Sequence, residues 1–396
     1  MNEFVMKLKE MNPKAWEQFE SCTSDFHKIE NLSVEQMSPW GYEERVTIEE
    51  GELPLDYTVF LTLVYLKEYN YLHQPIEKVE WVIPFKFQGC SFSFSREKFG
   101  IRLRTETLNE EVAKQMLKRL NSAIKIMERL VSPIIEGLVK KGMFTLQNRF
   151  SILRERYLFF REKATASFGG AEQKLTEVKT PVDIEKTISG IFNHRIQTQK
   201  EGFFYTQAML DAYFSFLEHF LVLLLPFSDF NKETDDVSIF IGYDWTKKYN
   251  RIFKPDKNRS MAKHYDELQS IKERFRNTYS HGGFEKQYAS LFVQVGRLGS
   301  IPIQMSGFRE SVNFSFLPVK EPDFQEIAKV LDDFESCLKE SNEWSKPMLV
   351  LDSGSDIHFD DKSIERYKKT MESDTELEAF FEYEAYMYEK YANMDW

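Results

Sequence analysis

The stretch Phe203–Leu225 constrains the fold of this chain more than any other. It is strongly apolar and Pro226 ends it, so it reads as a helix that other parts of the chain must cover. Its most apolar part, His219–Phe227, is too short to span a bilayer, and Glu218 precedes it. The cover is available: the chain has 396 residues, 42% of them hydrophobic and 15% aromatic, with 35 Phe. That is enough for two or three domains and a large core.

Charge and cysteine usage narrow the class. The formal net charge is −11, but Leu351–Trp396 alone carries 13 Asp/Glu against 5 Lys/Arg, so the main body is almost balanced. A nucleic-acid binder stays open, although no broad basic composition announces one. Cys22, Cys90 and Cys337 lie far apart with no paired spacing, which argues against a disulfide framework or a Cys-type zinc site. The opening MNEFVMKLKEMNPKAWEQF lacks the apolar core of a signal peptide. A soluble cytoplasmic protein without a membrane segment is expected.

The fold class expected is α+β and mainly helical. Val79–Phe87, Ser91–Ser95 and Gly100–Arg104 alternate as strands, with Pro84, Gly89 and Gly100 as punctuation, and predict a small antiparallel sheet with Ile101 and Leu103 facing a core. Asp56–Glu68 suits a helix or a buried strand. A long helical region follows from Asn109 to about Ala164. Leu117, Leu120, Ile124, Met127 and Leu130 recur at helical spacing there, and Pro133 is expected to kink or split it. Arg149, Arg154, Arg156, Arg161 and Lys163 are interleaved with Phe150, Tyr157, Phe159 and Phe160. An RNA-contacting face is one reading, and an amphipathic helix with a solvated basic side is the preferred one. The expected organisation is an N-terminal α+β domain over 1–165, a linker over 166–198, a helical domain over 199–345 and an acidic aromatic tail over 346–396. In the third of these, Trp245–Phe253 reads as a short helix and Ser260–His281 as a longer one. Tyr288–Val295 and Ser311–Leu317 read as a strand pair, and Phe324–Leu338 as the last helix. The tail, with Phe380, Tyr383, Tyr386, Tyr388 and Tyr391, reads as a surface or partner-binding helix, or as a nucleic-acid mimic.

One stretch reads as chemistry: Arg276-Asn277-Thr278-Tyr279-Ser280-His281, closed by Gly282-Gly283. Two other Arg–His pairs, Arg259 to His264 and Arg274 to His281, fit the bare spacing, so spacing alone selects nothing. Leu268, Ile271, Phe275 and Tyr279 form an apolar stripe, and Asn277 and His281, four apart, stack on roughly the opposite face. His281 thus falls off the core stripe, where a core histidine would sit. Histidine titrates near neutral pH and serves as base or acid, and arginine offers a fork of donors to phosphate oxygens.

This stretch resembles the Arg-polar-x3–5-His signature of HEPN domains, all-helical modules of many metal-independent ribonucleases in prokaryotic defence and toxin systems. The likeness covers roughly residues 195 to 345. It implies a HEPN-like bundle, here with a strand-pair insertion, that acts on RNA without cofactor or metal. Arg276, His281 and Asn277 are then catalytic. Glu218, on the first helix, is an auxiliary, and Lys272 and Arg274 add positive potential for substrate. The resemblance also implies a homodimer with a composite site, and an anti-phage or toxin setting. A phage-derived trigger or an inhibitory partner then falls to the N-terminal half. The alternatives are a catalytically silent module that binds RNA or a nucleotide, and a partner-binding scaffold. There is no P-loop, GxGxxG, GxSxG or HExxH to support nucleotide hydrolysis, serine hydrolysis or a zinc protease.

Overall fold

The computed structural model describes residues 3–30, 44–45, 53–105, 109–173, 184–232, 234–277, 290–296, 299–306, 311–313 and 319–394. The architecture is α+β and mainly helical, as expected. It gathers into two compact units, one of Met1–Val139 with Glu382–Trp396 and one of Lys140–Phe381.

The first unit opens with α1 (Glu3–Met11), α2 (Pro13–Cys22) and β1 (Phe26–Lys28). Its sheet is antiparallel, in the order β1-β4-β5-β6-β2, with β2 Glu44–Arg45, β4 Val79–Phe87, β5 Cys90–Glu97 and β6 Gly100–Thr105; β3 (Leu72–His73) pairs with β4. The three long strands are those the alternation predicts. Gln88 and Gly89, at φ 48 and 81, make the two-residue turn between β4 and β5, a conformation glycine adopts without strain. Phe85 stacks on Phe92 and Phe94 at 5.8 and 5.5 Å, and this face shares one core with Leu117, Leu120, Ile124, Met127 and Leu130 of α4 (Glu110–Lys140). Asp56–Phe60 is helix α3, continued by a π-helical turn over Leu61–Leu66.

Pro133 does not split the long helix. It lies on the exposed side of α4, where water can serve the carbonyl that loses its partner, and the helix runs on to Lys140. The break comes at Gly142, at φ +71.

The second unit is built on two long helices, α5 (Phe150–Gln173) and α6 (Ile184–Leu223). They run antiparallel. Phe150 meets Phe216 and Phe220 at 5.1 and 5.8 Å, Tyr157 meets Tyr213 at 5.1 Å, and Phe168 lies against Gly202 at the other end. Thus α5 belongs with the second core, not with a domain ending at residue 165. Where a linker was expected over 166–198, both helices run in from either side, and 174–183 fall outside the described residues. Of the five basic residues interleaved here, two are in ion pairs: Arg154 meets Glu335 at 2.9 Å and Arg161 pairs with Asp332. These two are matched by carboxylates and do not form the solvated basic side that was expected.

Helices α7 (Val237–Ile241), α8 (Trp245–Phe253), α9 (Arg259–Ile271) and α10 (Glu321–Glu340) complete the cover of α6. Asp244 caps α8 by accepting from Lys247 N, and Asn258 caps α9 by accepting from Ser260 and Met261 N. The Tyr249 hydroxyl donates to Met261 O at 2.9 Å and joins the two helices.

The expected strand pair is three strands, β8 (Ser290–Val295), β9 (Gly299–Ser306) and β10 (Ser311–Asn313), in the order β10-β9-β8. The segment read as a connection is itself β9. Among the described residues β10 pairs with Gln304–Ser306 of β9, and Pro302 is in register with Phe292 of β8. After α10 come α11 (Ser345–Asp352), β11 (Ile357–His358, paired with β7, Thr145–Leu146) and α12 (Asp361–Glu372).

The expected tail helix is α13 (Asp374–Asn393), and it is shared. Leu377 and Phe380 are buried in the second core, with Arg366 over the Phe380 ring at 4.5 Å. From Glu382 onward the chain belongs to the first unit, where Lys78 N donates to Met394 O at 3.4 Å. No described helix is long and apolar enough to cross a membrane.

A Cβ on Gly202 would come within 2.7 Å of the Phe168 ring. Gly202→Ala is therefore expected to destabilise the second unit by about 1–3 kcal/mol. Chemical denaturation followed by tryptophan fluorescence checks this, and Phe168→Leu in the same chain should recover part of the loss.

Candidate functional site

The site grows from one face of α6. Asp211, Phe214 and Glu218 are spaced three and four apart, so they line up along the helix while its other faces pack inward. Opposite stands the end of α9. Beyond Ile271 the chain does not continue as an α-helix; it winds as a π-helical turn over Lys272–Asn277. A π turn changes the angle between successive side chains and is frequent at functional positions.

That turn brings two cations to α6. The Arg276 Nε–H donates to Asp211 Oδ1 at 3.0 Å, and the guanidinium lies over the Phe214 ring at 5.9 Å. Lys272 Nζ lies 5.4 Å from both the Phe214 and the Trp245 ring centroids, over two rings that themselves pack at 5.5 Å. Each contact is a cation over the electron-rich face of an aromatic ring. Burial, then the neighbouring charge of Arg276, lowers the Lys272 pKa, with Glu218 and Asp244 opposing.

Lys248 of α8 adds a third cation. It is 4% exposed. Burial lowers its pKa, and Glu218 and Asp244 oppose that shift. Glu218 and Asp244 are thus the carboxylates whose charges both lysines feel, while Arg276 takes Asp211. Beside it, His219 accepts at Nε2 from the Arg149 N–H at 3.0 Å, so its ring is neutral with the proton on Nδ1.

The residues singled out by sequence fall unevenly on this picture. Arg276, Lys272 and Glu218 come together around Phe214. Arg274 turns to stack on Phe275 at 4.6 Å. Asn277 ends the π turn, and His281 lies outside the described residues. The expected stacking of Asn277 on His281 therefore also lies outside the described residues. The competing pair Arg259 and His264 resolves as architecture: His264 is buried against Phe334 at 5.6 Å, with Nδ1 3.3 Å from Glu267 Oε2.

Sequence reasoning missed Asp211 and Lys248. The signal for Asp211 was its position two turns before Glu218 on the same helix face. Lys248 carried no signal, because its burial follows from how α8 packs. Among the described residues no three His, Cys, Asp or Glu are grouped as metal ligands would be.

Two neutral histidines set a pH dependence. Burial, then Arg149 and Lys248, holds His219 below the ordinary 6.5; burial likewise lowers His264, against the pull of Glu267. Unfolded imidazoles take protons below about 6.5 while these resist, so their contribution is complete above that pH and is lost as pH falls. Denaturation between pH 7.5 and 5 should show stability dropping on the acid side. His219→Gln, which keeps an acceptor, should reduce the slope by up to about 1.4 kcal/mol per pH unit.

No protein-family model matches the chain, and a search of curated proteins and of solved structures finds no similar one.

Proposed function

We propose that this chain is a metal-independent endoribonuclease of the HEPN type. The observation that carries the reading is Arg276: the first residue of the Arg276-Asn277-x3-His281 pattern is held at Nε by Asp211, over Phe214, beside Lys272. The pair is partly exposed, so its worth lies in orientation more than in stability. With Nε engaged by Asp211, no partner among the described residues takes the two terminal nitrogens, which would serve phosphate oxygens.

In this reading His281 takes the proton of a ribose 2′-hydroxyl. The 2′-oxygen bonds to phosphorus, the bond to the 5′-oxygen breaks, and that oxygen leaves with a proton. The products are a 2′,3′-cyclic phosphate and a 5′-hydroxyl. Arg276 balances charge on the crowded phosphate, and Asn277 orients it. One copy supplies one histidine and one arginine, so two copies sharing a cleft would provide both an acid and a base. Such an activity suits a bacterial anti-phage or toxin role in the cytoplasm, with the first unit responding to a trigger.

The test is cleavage of a mixed RNA in EDTA. Wild type should yield cyclic-phosphate ends, and His281→Ala and Arg276→Ala should each slow cleavage at least about 100-fold. Asp211→Asn, which loosens Arg276 without removing it, should slow it by about tenfold. No cleavage in any condition, with RNA binding equal in all variants, would replace this reading with a silent binding module or a partner scaffold.

A further inference from the structure

A cavity of about 550 Å³ lies between the first turns of α9 and the last turns of α10. Its lining includes Ser260, Lys263 and His264 of the one helix and Asp333, Cys337 and Glu340 of the other. That is room for a small organic molecule. Ser260 Oγ stands 3.4 Å from Cys337 Sγ, and the His264 ring lies 5.6 Å from the ring of Phe334. Cys337 is therefore level with Ser260, and one helical turn separates it from His264.

His264 is poorly provided for. It is 6% exposed, and Nδ1 faces Glu267 Oε2 at 3.3 Å, yet both atoms are left without a hydrogen bond. No described residue serves Nε2 either, while the residue borders the cavity. Buried polar groups are seldom left so, and a molecule in the cavity can supply the missing partner.

The charges beside it suit a ligand with both signs. Asp333 is engaged by Lys329. Lys263, its side chain 67% exposed, is only loosely placed 3.6 Å from Glu267, and Glu340 makes no ion pair among the described residues. Cys337 is a free, half-buried thiol. Negative charge on its sulfur meets the Ser260 hydroxyl and the N-terminal end of α9.

We propose that this cavity is a modification site, where Cys337 forms a mixed disulfide with a small peptide-like disulfide. The carboxylate of that reagent meets Lys263, its ammonium meets Glu340, and its polar backbone gives His264 a hydrogen bond. The thiol of Cys337 first gives its proton to solvent. Its sulfur then bonds to one sulfur of the reagent, the reagent's own S–S bond breaks, and the leaving thiolate takes up a proton. The disulfide is the only oxidant required. None of this depends on the nuclease reading.

Cys22 and Cys90, free and half-buried like Cys337, are references within the same chain. The full chain is reduced, freed of reductant, and exposed to glutathione disulfide or to the uncharged bis-hydroxyethyl disulfide. The adduct on each cysteine is followed by peptide mass spectrometry. With glutathione disulfide, Cys337 should react at least about tenfold faster than either reference, and with the uncharged reagent its advantage should shrink to within about threefold. Lys263→Ala and His264→Phe should each lower the glutathione rate at Cys337 about fivefold and leave its rate with the uncharged reagent within about twofold. His264→Phe keeps a ring against Phe334, and Lys263→Ala changes an exposed side chain, so the second decides the matter if the first fails to fold.

Equal modification of the three cysteines by glutathione disulfide would overturn the proposal. So would the same advantage for Cys337 with both reagents, which would make it only the most open thiol, or an unchanged preference in either folded variant. The readout contains no RNA, so this site and the nuclease stand or fall separately.

Discussion

The contact between Phe168 and Gly202 sets the spacing of the second unit. With hydrogen in place of a side chain at 202, the ring of α5 can lie directly on the backbone of α6. From there the helices stay paired down to Phe150 against Phe216 and Phe220. This pairing covers one side of α6, and α8, α9 and α10 cover others, so Met209 through Leu225 is buried almost all round. What remains partly open is the line of Asp211, Ser215 and Glu218, with the buried Phe214 beside it. The polar face of the site is the remainder left by the packing of an otherwise apolar helix, and its position is as rigid as that packing.

The π turn over Lys272–Asn277 does for α9 what the exposed line does for α6. The turn is anchored by Ile271 and Phe275 in the core, and between them it presents Lys272 and Arg276 to Phe214. Holding like charges together costs energy, and the aromatic faces and Asp211 offset part of it. The buried Lys248 adds to that cost. A cluster whose local chemistry works against stability is the usual mark of a place shaped by something other than folding.

Much of this was legible in the residues. The three long strands of the first unit, α8 at Trp245–Phe253 and the helical character of the apolar segment follow from period and punctuation, because each is decided by its own side chains. The allocation of α5 was not legible. Its heptad-like spacing of Phe150, Tyr157 and Ala164 says that it packs, but not against what. Pro133 misled because a proline on a solvated helix face costs one hydrogen bond that water replaces. The strand β9 was hidden by Gly299 and Pro302, which punctuate most sequences, and here lie within the strand itself. In the site, Arg276, Lys272 and Glu218 were singled out through the resemblance, since spacing alone selected nothing. Asp211 was within reach of the same helix wheel. Lys248 was not, since nothing in a lysine's neighbours in sequence announces its burial.

The first unit is assembled from two distant stretches of the chain. Its sheet and most of α4 lie before residue 140, while the last turns of α13 follow only from Glu382, and Met394, fastened at Lys78, lies more than three hundred residues after it. Closing so long a loop in an unfolded chain carries an entropic cost, and that cost shrinks once the intervening segment is compact. The second unit, wholly contained in that loop, can fold on its own contacts. The first is completed by a segment that leaves the ribosome after the whole of the second has been made. The order of synthesis therefore puts the charged corner of α6 in place before the unit that holds the end of α13 is finished.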